Sequence, residues 1–140
     1  SPSCPSGFVC QGTTCVLDPT GSWVITITSG MIAQKKADGS SWDVPGGLPD
    51  PFVCLTINGS RRCTSTKSDT LTPFWGESFP AATATALQSG VLVEFFDEDL
   101  AANDPICGAA TLAVSTDSFR SGSWGAQCTS GSFAATLTPR

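Results

Sequence analysis

Phe52-Val53-Cys54-Leu55-Thr56-Ile57-Asn58-Gly59-Ser60-Arg61-Arg62-Cys63-Thr64-Ser65-Thr66 is the stretch whose pattern decides the fold. A β-prone run from Phe52 to Ile57 meets Asn58-Gly59, and a second, polar strand follows from Ser60 to Thr66. Asn-Gly is the strongest two-residue hairpin signal, because a type I′ turn needs positive φ at both central positions. With that turn the facing pairs are Ile57/Ser60, Thr56/Arg61, Leu55/Arg62 and Cys54/Cys63. Counted outward from the hydrogen-bonded pair beside the turn, Cys54/Cys63 falls on a non-hydrogen-bonded site. Cα atoms there stand about 4.5 Å apart, inside disulfide range. The spacing therefore predicts a Cys54–Cys63 bridge across one hairpin.

The same periodicity extends outward. Trp23, Ile25 and Ile27 alternate with Val24, Thr26 and Thr28, the pattern of a half-buried strand. A long polar loop runs from Lys35 to Asp50, with Gly39, Pro45, Gly46, Gly47 and Pro49. Beyond the hairpin, Leu71-Thr72-Pro73-Phe74-Trp75 turns into a strand expected near Ser78 to Thr85. Val91 to Phe96 is another strand, Asp97 to Pro105 a second loop, and Ala109 to Val114 and Ser132 to Thr138 are the last strands. Only the Ala/Thr run from Ala81 to Leu87 is ambiguous between strand and helix. Seven or eight short strands divided by turn signals predict an all-β sandwich over residues 21–140. Residues 1–20 read as a Cys-rich N-terminal linker, because Cys4 to Val16 shows neither strand nor helix periodicity.

Composition agrees and excludes several functions. The chain has 140 residues, only 14% charged and 40% hydrophobic, with 14 Gly and 10 Pro, which suits one loop-rich domain. It contains no histidine, so neither a Ser-His-Asp centre nor a His-ligated zinc site can be built. A net charge of −5 has the wrong sign for a nucleic-acid surface. Apolar runs of only a few residues leave no transmembrane segment. The lone Met31 and the opening Ser1-Pro2-Ser3-Cys4 read as a processed chain or a piece of a longer polypeptide.

Seven cysteines in so short a chain place it in an oxidising compartment, secreted or in the cell envelope. By elimination Cys107 and Cys128 form the second pair after Cys54/Cys63. Among Cys4, Cys10 and Cys15, two pair and one is left over; their spacing does not match a zinc ribbon.

The acids are unevenly placed. Asp43 and Asp50 bracket one loop, while Asp97, Asp99 and Asp104 crowd the other. Those five account for the whole net charge, since the remaining seven acids balance seven bases. Two carboxylates about 4 Å apart repel by about 4 kcal/mol at an effective dielectric near 20. With few Lys or Arg in either loop, a hard cation is the natural partner, and flexible oxygen ligands suit Ca²⁺ better than Mg²⁺. A glycosidase pair of carboxylates is disfavoured, because no apolar pocket is evident to raise one pKa.

Three motifs, in order, resemble the C2 domain family. They are Asp43-Val44-Pro45-Gly46-Gly47-Leu48-Pro49-Asp50-Pro51-Phe52-Val53, then Thr70-Leu71-Thr72-Pro73-Phe74-Trp75-Gly76-Glu77-Ser78-Phe79, then Val93-Glu94-Phe95-Phe96-Asp97-Glu98-Asp99 closing on Asp104-Pro105-Ile106-Cys107-Gly108. The resemblance covers residues 22–115 and implies an eight-stranded antiparallel sandwich binding two or three Ca²⁺ at one tip. It implies Asp43, Asp50, Asp97 and Asp99 as bridging ligands, Asp104 as the last acidic ligand, and carbonyls of Trp42 and Glu98 as helpers. The first loop is one residue longer than the family pattern, the third one shorter, and Pro49 replaces a serine. Docking on anionic phospholipid is implied too, with Val44, Leu48 and Leu100 as inserting groups at the loop tips. Arg61, Arg62 and Lys67 are the cations near the hairpin, and Arg61 and Arg62 point to opposite faces. The function expected is a non-catalytic calcium-binding module for an anionic surface. The alternative is a calcium-stabilised or calcium-free structural or protein-docking domain that tethers a larger secreted protein. Trp23 and Trp75 read as core, and Trp42 and Trp124 stay open between core and a sugar-stacking platform.

Overall fold

A computed structural model describes residues 3–42, 47–99 and 103–140. Eleven strands and two short helices occur among them: β1 (Phe8–Gln11), β2 (Thr14–Leu17), β3 (Ser22–Ile32), β4 (Pro51–Ile57), β5 (Ser60–Cys63), β6 (Phe74–Ser78), β7 (Ala82–Thr83), α1 (Ala84–Ser89), β8 (Val91–Asp97), β9 (Asp104–Leu112), α2 (Thr116–Ser121), β10 (Ser123–Cys128) and β11 (Gly131–Pro139). One sheet has the order β10-β11-β3-β6, with β7 pairing β3, and the other β5-β4-β8-β9. All pairings are antiparallel. Eight longer strands in two sheets make the expected sandwich. No helix among the described residues is long and apolar enough to cross a membrane.

Periodicity explains why the sheets face each other. Alternate residues of β3 (Trp23, Ile25, Ile27), β4 (Val53, Leu55), β8 (Val91, Val93, Phe95) and β11 (Phe133, Ala135, Leu137) are buried. Burying each large apolar side chain contributes roughly 1.5–3 kcal/mol. Phe95 lies at the centre, edge-on to Trp75 at 6.2 Å and to Phe133 at 5.9 Å. A polar clamp adds to the packing between sheets. Ser65, just past β5, donates its N–H to Glu77 Oε1 (2.8 Å) and its hydroxyl to Oε2 (2.5 Å), while its carbonyl accepts Trp75 Nε1–H (2.9 Å).

The β4–β5 hairpin forms as its sequence predicts. Asn58 and Gly59 have φ of 51° and 76°, and Cys54 faces Cys63 in register. The Cys54–Cys63 bridge spans a Cα separation of 4.0 Å, and Cys107–Cys128 is bridged as well.

Several local readings are corrected. The strand expected near Ser78 to Thr85 ends at Ser78; β7 is two residues long and leads into α1, whose N-cap Thr83 accepts from Ala86 N–H (3.1 Å). Helix α2 and strand β10 were missed. Six residues are too few for a helical stripe, and α2 is set by Ser115 as N-cap and by Gly122 at φ 73°. The last strand before α2 begins at Asp104 rather than Ala109, which shortens the acidic loop.

The segment that lacks periodicity in sequence forms the β1–β2 hairpin around Gly12-Thr13, stapled by Cys4–Cys15. It is docked on the sandwich. Phe8 meets the edge of Trp23 at 6.2 Å, Trp23 meets Phe119 at 4.9 Å, and the Arg120 guanidinium lies 5.2 Å over the Phe8 ring. Arg120 Nη2 also donates to the Cys15 carbonyl (3.1 Å).

Candidate metal centre

The acidic end is built where β4, β8 and β9 run out together. Asp97 ends β8 and pairs with Pro51 of β4 on one side and Asp104 of β9 on the other. That register carries two acids, distant from Asp50 in the chain, to one sheet edge beside it. Carboxylate oxygens of Asp97, Asp99 and Asp104 lie within 4.8 Å of one another. Asp97 is the one fully buried acid among the described residues, and Asp99 and Asp104 are half-buried.

Two of the acids accept backbone N–H groups. Asp97 Oδ1 accepts the Asp50 N–H (2.7 Å), and the Asp50 carbonyl accepts the Glu98 N–H (2.9 Å). Asp50 turns its own carboxylate toward the loop before β6, where Oδ1 accepts the Asp69 N–H (2.7 Å). Asp50 is therefore tied to the cluster through its main chain, and its side chain is not among the three that converge. The Asp99 N–H donates to Asn103 Oδ1 (3.1 Å), closing the loop between β8 and β9.

A cation that sequence reasoning overlooked sits against Asp104. Lys36 Nζ donates to Asp104 Oδ2 at 2.6 Å, and the same ammonium lies 5.9 Å from the Trp42 ring centroid. Its hydrogen bond is the main cause that holds the Asp104 carboxyl below its ordinary value, against partial burial that would raise it. The Lys36 ammonium is correspondingly raised, first by Asp104, with Asp99 and Asp38 adding field. The sequence reading counts few basic residues in these loops and gives none of them a place beside the acids; Lys36, the second residue of the first loop, takes that place. Only tertiary pairing shows it, since 68 residues separate it from Asp104.

The other residues singled out above fall as follows. Trp42 is buried, with Nε1 donating to the Ala33 carbonyl (2.8 Å), so it is a core anchor for the loop rather than a stacking platform. Glu98 is exposed, and Leu48 is 38% exposed at the loop edge. Asp43, Val44 and Leu100 lie outside the described residues. Arg61 pairs with Glu94 on the sheet face (2.8 Å), away from the acids.

A two-sheet antiparallel sandwich with acids gathered from separate strand ends is the class this chain defines. The family model of the C2 domain matches residues 26–127, and the chain belongs to that family. Among solved structures it is similar to the calcium-bound pair of C2 domains of extended synaptotagmin 2 (TM-score 0.63, 17% identity, 87% of this chain and 46% of that one). It is also similar to a C2 domain of plant extended synaptotagmin 1 (TM-score 0.61, 18% identity, 88% and 96%). A third similar structure is human GIVD cytosolic phospholipase A2 (TM-score 0.59, 16% identity, 84% of this chain and 16% of that one). The chain thus spans less than half of the first of these structures. No curated protein sequence matches it.

Proposed function

We propose that this chain is a secreted, non-catalytic C2 module that binds Ca²⁺ through its acidic end and docks there on anionic phospholipid. The observation that carries this reading is the convergence of Asp97, Asp99 and Asp104, with Asp97 fully buried. Three carboxylates at that spacing need positive charge nearby. The Lys36 ammonium supplies one such charge at Asp104, which marks the cluster as a place that draws cations. The donor set is all hard oxygen, and hard oxygen suits Ca²⁺. Asp97, Asp99 and Asp104 would hold the ion, joined by Asp50 and Asp43 and by carbonyls of Trp42 and Glu98. C2 domains commonly bind Ca²⁺ and phospholipid, and one similar structure is described as calcium bound.

The mechanism is charge inversion. Two bound Ca²⁺ would take the chain from −5 to −1 and turn the tip from repelling anions to attracting them. Bound ion would supply open coordination positions for phosphate oxygens, while Leu48, with Val44 and Leu100, would meet the acyl boundary. The disulfides suit an oxidising compartment. Calcium there is abundant, so an affinity of only ~10⁻⁴–10⁻³ M suffices. Calorimetric titration with CaCl₂ tests the first step; no heat and no thermal shift at millimolar Ca²⁺ would falsify it. Co-sedimentation with phosphatidylserine vesicles tests the second, and calcium binding without pelleting would refute the lipid target.

A specific observation favours a second reading, a structural domain that needs no ion. Asp97, Asp50 and Asp99 already lock their loops by backbone hydrogen bonds, and Lys36 offsets part of the charge. On that reading chelation leaves the melting temperature unchanged.

A further inference from the structure

The sulfurs of the N-terminal hairpin stand apart from the acidic end and from the other two bridges. Cys4 and Cys15 form a disulfide, and the Cys10 thiol lies 3.0 Å from Cys4 Sγ, at van der Waals contact or closer. All three sulfurs are within 4.8 Å of one another; Cys10 is exposed and the other two half-buried. Register adds a second relation. Cys10 faces Cys15 directly across β1–β2, one pair out from Gln11/Thr14 beside the two-residue turn. That is a non-hydrogen-bonded site, the kind at which strand partners stand close enough to be bridged. Cys54 and Cys63 face each other in the same way on the other hairpin and are bridged. Each of the three possible pairings among Cys4, Cys10 and Cys15 is thus within reach.

We propose that this trio is a thiol–disulfide exchange centre, in which Cys10 trades places with either member of the Cys4–Cys15 bridge. The step is balanced and needs no outside oxidant. The Cys10 thiolate attacks Cys4 Sγ, a Cys4–Cys10 bond forms, and the Cys4–Cys15 bond breaks. The electron pair leaves on Cys15, which takes up a proton equivalent to the one Cys10 lost. Attack on Cys15 Sγ instead forms Cys10–Cys15 and leaves the thiol on Cys4. The chemistry also defines the ligand class: a small thiol or disulfide, which would join the same exchange from the solvent side at Cys10. Exchange would be felt in the body of the domain, because Cys15 is hydrogen-bonded by Arg120, which caps Phe8 on Trp23. The other four cysteines stay out of it, since they form two separate bridges and Cys54 is fully buried.

The test uses the oxidised full chain, without reductant, at mildly alkaline pH. Iodoacetamide is kept dilute so that exchange competes with alkylation; the sample is then acid-quenched, digested with pepsin and mapped by mass spectrometry. The expected result is one label per chain, shared between Cys10 and at least one of Cys4 and Cys15, with the matching rearranged disulfide peptides. Cys54–Cys63 and Cys107–Cys128 remain intact. Label on Cys10 alone overturns the proposal. A second arm uses Cys15→Ser, with circular dichroism to confirm the fold. The surviving pair should close as Cys4–Cys10 and take no label, whereas two labelled thiols under the same oxidising conditions overturn it. Cys10→Ser should show Cys4–Cys15 as the sole pairing of this hairpin.

Discussion

The middle of the sandwich and its acidic end are held by opposite kinds of force. In the middle, Trp75, Phe95 and Phe133 meet edge to face and gain from leaving water, whatever the pH or the metal present. At the end, Asp50, Asp97, Asp99 and Asp104 are held by directed hydrogen bonds and by one ammonium, all of which respond to ions and protons. The difference teaches where stability and function separate. A rigid apolar body fixes the strand ends, and the strand ends gather the charge that responds to ions and protons, Asp97 in a fully buried position.

That contrast can be broken from either side. The largest effect is expected from Phe95→Ala, which should cost about 3–5 kcal/mol in urea unfolding, with or without calcium. A loss that appears only in the absence of calcium would show that the two regions are not independent. Next, calcium at about 100 times its dissociation constant should add ~2.7 kcal/mol to the parent, read as a rise in melting temperature that EDTA reverses. Asp97→Asn keeps an Oδ1 acceptor for the Asp50 N–H but removes a charge, so it should fold and lose most of that rise. If it binds calcium as tightly as the parent, Asp97 is not a ligand.

Glu77 offers a smaller effect tied to pH. Burial pushes its carboxyl up, but the Ser65 hydroxyl and N–H push it down further, and the net is a value below the ordinary 4.5. A group depressed in the folded state contributes stability that is full above its unfolded pKa and drains away as pH falls through the folded one. Glu77→Gln should therefore cost about 1–2 kcal/mol at neutral pH, and the gap to the parent should close below about pH 4.5. A gap that stays constant into acid would refute the charged clamp. Lys36→Met, smaller again in stability, should sharpen the contrast by removing the resident cation at Asp104. Calcium affinity should rise about five- to tenfold by calorimetry, about 1 kcal/mol on the Coulomb scale for a partly exposed pair. The smallest change is expected for Arg61→Ala, whose exposed pair with Glu94 is of the kind worth about 0.2–1 kcal/mol.

Much of the body was legible because period-2 alternation and Asn58-Gly59 are local signals. Trp23, Ile25 and Ile27 read as one buried face of a strand, Trp75 reads as core, and the Cys54/Cys63 register can be counted from the turn, all as the structure has them. Helix α2 escaped because its determinants are two caps, Ser115 and Gly122, around six residues rather than a stripe. The start of strand β9 is not legible locally, because Asp104 and Pro105 look like loop, while pairing with Asp97 and Phe96 makes them strand.

The site divides along the same line. The chain's order of residues determined that five acids fall in two loops, that no histidine competes for chemistry, and that one cysteine of seven must be odd. Local propensity and charge counting suffice for such statements. Tertiary structure alone decided that Asp97 and Asp104 face each other, that an Asp50 carboxylate oxygen accepts the Asp69 N–H, and that Lys36 reaches Asp104. It also decided which sulfur Cys15 takes. Those outcomes depend on which strands lie side by side, and strand neighbours are chosen by burial over the whole sheet rather than by any short run of residues.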